Sequence, residues 1–145
     1  MLSKTLKVVA IIAGAALVLF VAIQLIPYGH NHTNPPVIQE PRWDSPQTRA
    51  LAVRACFDCH SNQTTWPVYS NIAPISWLVQ HDVEEGRQRL NFSEWNKPQR
   101  EARNAGREVQ RGDMPDPKYL PLHPDARLTD AEKQALIQGL NNSLR

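Results

Sequence analysis

The sequence predicts a small, loop-rich, all-α domain behind one N-terminal transmembrane helix, and three observations lead there. The stretch Val8 to Ile26 is 19 residues long and carries no charge. Beyond it, apolar residues recur at helical spacing, and no strand-like alternation of useful length occurs. The 145-residue chain leaves positions 46–145 for folding, room for one ordinary domain.

At about 1.5 Å per residue the apolar run reaches roughly 28 Å as a helix, close to the ~30 Å hydrocarbon thickness of a bilayer. Inside lipid it must be helical, because every backbone N–H and C=O needs an internal partner. Lys4 and Lys7 precede the run and the next basic residue is Arg42. That asymmetry keeps the N-terminus in the cytoplasm and sends the rest across, with Tyr28 at the interface. A cleaved secretory signal would have a shorter core and small residues of the A-x-A type after it. Here the run ends Gln24-Leu25-Ile26-Pro27-Tyr28, which offers no such site. Residues 1–27 are therefore read as a membrane anchor or uncleaved signal.

Residues 28–45, with Gly29, Asn31, Asn34, Pro35, Pro36 and Pro41, read as a Pro/Asn-rich linker. Its His30 and His32 lack a third metal ligand nearby and read as spacer histidines. Residues 46–145 form the remaining domain. All 14 acidic residues and 14 of the 16 basic ones lie beyond Pro27, so that part is formally neutral. A nucleic-acid-binding domain is excluded on that ground, since phosphate recognition needs surplus positive charge.

Four helices can be read in the domain. The first covers roughly 46–59, with Pro46 in the first turn and Leu51, Val53 and Ala55 available for packing. The second covers roughly 74–90, where Ile75, Leu78, Val79 and Asp82 share a face and Trp77 and His81 form an i, i+4 pair. The third covers about 98–111, with Ala102, Ala105 and Val109 on one side. The fourth begins at Thr129, where Glu132 completes a capping box ahead of Leu136, Ile137 and Leu140. The apolar stripes are thin, with Ala where Leu might be expected, so a ligand supplying apolar surface would fill out the core.

The run Cys56-Phe57-Asp58-Cys59-His60 contains the only two cysteines of the chain. At a helix end this spacing presents two thiols to the two vinyl groups of one porphyrin, with the adjoining imidazole able to reach iron. A thioredoxin-type pair would want a βαβ setting, and a structural zinc site needs four ligands where no second Cys pair exists. One covalently attached haem c is the expected cofactor, with thioethers at Cys56 and Cys59 and iron held by His60. Apart from the initiator, the only methionine is Met114, in Gly112-Asp113-Met114-Pro115. It is the candidate distal iron ligand, and His81 is the alternative. Arg54, Arg111 and Arg127 are candidates to pair with haem propionates, and the aromatics Trp66, Trp77, Trp95, Tyr69, Tyr119 and Phe92 to pack the core and haem pocket. No nucleophile–base pair, phosphate loop or paired carboxylates stand out, so no catalytic residue is assigned.

Several runs carry a resemblance: Cys59-His60-Ser61-Asn62, Trp66 through Pro74, Ser76-Trp77, Glu85-Gly86-Arg87, Leu90 through Trp95, Met114-Pro115, Tyr119, His123 through Ala126 and Leu128-Thr129. Together they resemble the bacterial haem-binding domain family, whose members are small, exported and c-type-like. The resemblance implies covalent haem at Cys56, Cys59 and His60 in a cytochrome-c-like helical domain. One departure is Asp116, where the family usually has a second proline, a change expected to loosen the loop presenting Met114. The resulting expectation is a membrane-anchored monohaem c-type cytochrome, an electron carrier rather than an enzyme. It would be single-pass in the bacterial inner membrane through residues 8–26, with its haem domain periplasmic or otherwise extracytoplasmic, passing single electrons to redox partner proteins. The alternatives are a haem-based sensor or gas-binding module and a peroxidase-like enzyme with an open distal site.

Overall fold

The computed structural model describes residues 3–144. Among them no strand forms, and the regular elements are helices: α1 (Lys4–Ile23), α2 (Pro46–Ala55), α3 (Phe57–His60), α4 (Ile75–Arg89), α5 (Ala105–Arg111) and α6 (Asp130–Ser143). Short 3₁₀ turns occupy Val68–Asn71, Ala102–Asn104 and Pro124–Ala126. The chain divides into two compact units, residues 1–32 with 66–81, and residues 33–65 with 82–145. Helix α4 passes from the first to the second after His81.

In the first unit α1 is apolar on every side and buries none of its residues against protein. An 18-residue stretch of it has a mean hydropathy of 2.7, and the helix is long and apolar enough to cross a membrane. At its end the Gln24 carboxamide donates to the carbonyls of Phe20 and Ala73 and accepts from the Ala73 N–H. The face of α4 shared by Ile75 and Leu78 is not an inward one, since both are about half exposed. Further along the same helix, in the second unit, Val83 is buried.

The second unit holds the core. Helix α6 packs against α2 and α5, and Leu51, Ala52, Phe57, Leu90, Phe92, Ala105, Val109, Leu136, Leu140 and Leu144 form one buried cluster. Trp43 joins it, its ring 5.2 Å from Phe92 and 6.2 Å from Phe57. Of the packing residues expected on the first helix, Val53 faces outward and Ala52 takes its place. The helices approach closely because glycines stand at the contacts. A β-carbon at Gly139 would lie 2.1 Å from Thr48 Oγ1, and one at Gly106 would lie 2.4 Å from Asn141 Oδ1.

Helix starts follow the sequence. Ser45 caps α2 with Pro46 in its first turn, and Thr129 and Glu132 form the reciprocal capping box of α6. Two boundaries differ. The first helix breaks at Cys56 (φ −131°, ψ −32°), whose carbonyl accepts from the N–H groups of both Cys59 and His60 and starts α3. The third helix begins at Ala105 and not near Pro98. There the Gln99 side chain donates to Glu94 and Lys97 carbonyls and accepts from Asn91 N–H, a local bonding pattern that competes with helix. The stretch 33–45 is irregular but tied down: Ile38 and Gln39 N–H donate to Ser93 O, and Trp95 N–H donates to Gln39 O.

Two measurements test this packing. Gly139→Ala forces an overlap with Thr48 and is expected to destabilise by about 1–3 kcal/mol. At about 4–8 °C per kcal/mol for a domain of this size, the loss is readable as a lower Tm. Gly14→Ala, which meets nothing within 4 Å, leaves Tm unchanged. The Arg49 guanidinium, bound to both Glu40 oxygens at 2.7 Å, holds the Glu40 carboxyl below its ordinary range. A depressed native pKa contributes stability at neutral pH that is lost as pH falls from about 5 through the native value. Glu40→Gln therefore flattens stability against pH in that window, by no more than about 1 kcal/mol for so exposed a pair.

Candidate functional site

The Cys-x-x-Cys-His run lies where α2 gives way to α3, in the second unit. Both cysteines are free and partly buried. Burial pushes the thiols of Cys56 and Cys59 up to about 12, the Cys59 thiol helped by the carboxylates of Asp82, Asp58 and Asp116. Both are protonated at neutral pH, which makes them poor thiolate nucleophiles and poor ligands for a bare metal ion.

His60 is positioned by the end of α4. Its Nδ1 lies 3.0 Å from the Leu90 carbonyl and 3.1 Å from the Gly86 carbonyl. Carbonyls only accept, so Nδ1 carries the proton and Nε2 keeps its lone pair. Burial depresses the His60 pKa, which favours that neutral form. Backbone bonding of the second ring nitrogen is what orients an imidazole that ligates metal.

The end of α4 comes this close because residue 86 has no side chain. A β-carbon at Gly86 would sit 2.4 Å from the Cys59 carbonyl oxygen. The next residue locks the contact. Arg87 donates from Nε to Ser61 O, from Nη1 to Thr33 O, and from Nη2 to Asn34 Oδ1 and Thr64 Oγ1. Below the histidine a buried amide network continues. Asn91 donates to Asn62 Oδ1, Ser93 N–H donates to Asn91 Oδ1, Asn62 N–H donates to Ser93 Oγ, and Phe92 N–H donates to His60 O.

A cavity of about 280 Å³ opens beside this motif. Cys56, His60 and Met114 all line it, with an apolar wall that includes Ala55, Leu90, Phe92, Ala105, Val109 and Leu140. Met114 is 37% exposed. Its loop is fastened to the cysteine motif through Tyr119, whose hydroxyl donates to Asp58 Oδ2 at 2.6 Å. The other Asp58 oxygen accepts from Thr65 N–H. Asp116 does not leave this loop loose: its carboxylate accepts from Lys118 N–H and its carbonyl from Tyr119 N–H, so a turn does the stiffening expected of the missing proline.

The predicted residues divide as follows. Cys56, His60 and Met114 share the cavity wall; Cys59 does not line it and lies close against Gly86. His81 is exposed, belongs to the first unit and does not line the cavity. Of the arginines, Arg111 lines the cavity but binds Glu108 and Asp113, and Arg54 pairs with Glu132. Arg89 and Glu101, also on the wall, were not singled out by sequence, where nothing distinguishes them from other surface charges. Phe92 is the only one of the proposed aromatics on the wall, Trp66 stacks on His32 at 4.5 Å, and Tyr119 stacks on His123 at 3.6 Å. Among the described residues no group of three or more His, Cys, Asp or Glu could hold a metal ion.

An all-helical domain presenting Cys-x-x-Cys-His at an apolar cavity belongs with small haem proteins. The model of the haem-binding domain family matches residues 18–142, and the chain belongs to that family. No curated protein and no solved structure matches it significantly.

Arg87→Lys keeps the charge but loses the planar fork that serves four acceptors. It is expected to lower stability by about 2 kcal/mol, read as an earlier midpoint in urea with unchanged slope.

Proposed function

We propose that this chain is a membrane-tethered monohaem c-type cytochrome that passes single electrons on the outer face of the inner membrane. The observation that carries the reading is one cavity walled by a cysteine of the pair, by the histidine after it and by the chain's only non-initiator methionine. The donor set fits the group. Cys56 and Cys59 would hold the porphyrin as thioethers, their protonated thiols being suited to a redox-neutral addition to vinyl groups. His60 offers Nε2 and Met114 a thioether, two neutral ligands, a pairing that raises the potential relative to two imidazoles. When bound, haem supplies a reversible one-electron change at iron.

The chain's own residues supply the rest. Leu90, Phe92, Val109 and Leu140 keep water from the cavity wall. The carbonyls of Gly86 and Leu90 fix the His60 ring so that it need not reorient when charge changes. Arg89 and Arg111 stand on the cavity wall, paired with Glu85 and with Glu108 and Asp113, and would be the cations available to propionates there. Lys4 and Lys7 in the first turns of α1, with no basic residue after it until Arg42, support a cytoplasmic N-terminus and an extracytoplasmic haem domain. Tethering raises the effective concentration toward membrane-bound redox partners.

Denaturing the protein and extracting with acidified solvent should leave haem on the polypeptide, seen as added mass. A bare-protein mass overturns the covalent reading. The oxidised protein should show a weak red sulfur-to-iron charge-transfer band that vanishes in Met114→Ala and persists in His81→Ala. Carbon monoxide should not bind the reduced wild type readily; ready binding would favour a gas-binding module or an enzyme with an open distal site.

A further inference from the structure

We propose that the first unit is a membrane seat: beyond the anchor, its exposed apolar side chains rest in the headgroup–acyl boundary of the same bilayer. The inference rests on reading α1 as a membrane span and adds a second, interfacial contact to it.

Charge is the first observation. Residues 8–32 and 66–81 contain no Lys, Arg, Asp or Glu, so every acidic residue of the chain lies in the second unit. A water-facing surface ordinarily carries about a quarter charged residues. This one carries apolar side chains instead. Val68 is 85% exposed, Ile72, Ile75 and Leu78 are each close to half exposed, and Leu25 is 81% exposed. Their spacing of three or four residues from 68 to 78 places them along the 3₁₀ turn and the first turns of α4.

Continuity with the span is the second observation, and it names the occupant. Gln24, the residue that ends α1, holds both the N–H and the carbonyl of Ala73, at 2.8 and 3.0 Å. A few residues on, Gly29 turns with φ +89° and lies so close to Ser76 that a β-carbon would sit 2.8 Å from it. The segment bearing Ile72 and Ile75 is thereby tied to the point where the helix leaves hydrocarbon. At that depth water gives way to lipid headgroups, where an uncharged, apolar surface is stabilised and a charged one is not.

Photocrosslinking in the intact holoprotein decides the matter. p-Benzoylphenylalanine replaces, one at a time, Val68, Leu78, Leu17 within α1, or exposed Gln110 of the second unit. Each protein is reconstituted in phosphatidylcholine vesicles, irradiated and weighed. Lipid adducts are expected at 17, 68 and 78, at least about tenfold above position 110. Adducts at 17 alone leave the span standing and overturn the seat. Doubled-mass products from 68 or 78 would assign the face to a second copy and overturn it equally. If position 17 also fails to label, the span itself is wrong and the seat falls with it.

Discussion

The structure depends on two carbonyl oxygens at the end of α4 meeting one imidazole. Helices finish with carbonyls that have no partner in the next turn. Here the Leu90 carbonyl and that of Gly86 accept from His60 Nδ1. The contact gives a partner to the Leu90 carbonyl just past α4, Gly86 O already accepting from Leu90 N–H, and it selects the histidine tautomer and leaves Nε2 as the basic nitrogen. The flanking residues serve the same contact. Gly86 removes the atom that would block it, and Arg87 fastens the loops on either side through Ser61, Asn34, Thr33 and Thr64.

Two kinds of cohesion share the second unit. Around α2, α5 and α6 it is apolar, with glycines and alanines permitting close approach. Around the histidine it is polar, with Asn62, Asn91 and Ser93 buried and bonded to one another and to backbone. Such a network fixes one arrangement because each unmet bond in a low-dielectric interior costs about 1–3 kcal/mol. The cavity lies where the two meet, with apolar walls and a histidine braced from behind.

The start of α2, the capping box of α6 and the apolar helix were legible because each follows from local chemistry: Pro46 in a first turn, Thr129 before Glu132, and a run without charge. Cys56, His60 and Met114, which the fold brings to one cavity, stood out in the sequence because the chain has only two cysteines, one followed directly by histidine, and two methionines. Other features were not legible. The break at Cys56 and the late start of α5 depend on bonds from Gln99 and from the Cys56 carbonyl that spacing alone does not announce. The outward stripe of Ile75 and Leu78 has the same periodicity as an inward one, since periodicity fixes a face but not what the face meets. Arg89 and Glu101 reach the cavity only through tertiary packing.

Asp58 shows how little of the site is spare. It occupies a variable position of the Cys-x-x-Cys-His pattern, where the chemistry of attachment asks nothing of it. Its two oxygens nevertheless bond Thr65 N–H and the Tyr119 hydroxyl, and its backbone carbonyl accepts from Thr64. The cysteine motif is thereby bound to the loop after it and, through Tyr119, to the loop carrying Met114. A side chain on an irregular loop needs an external brace, because loop backbone has no ladder of its own to hold it in place. The brace is anchored inside the motif that would supply the proximal ligand, so the two sides of the cavity are held by one carboxylate.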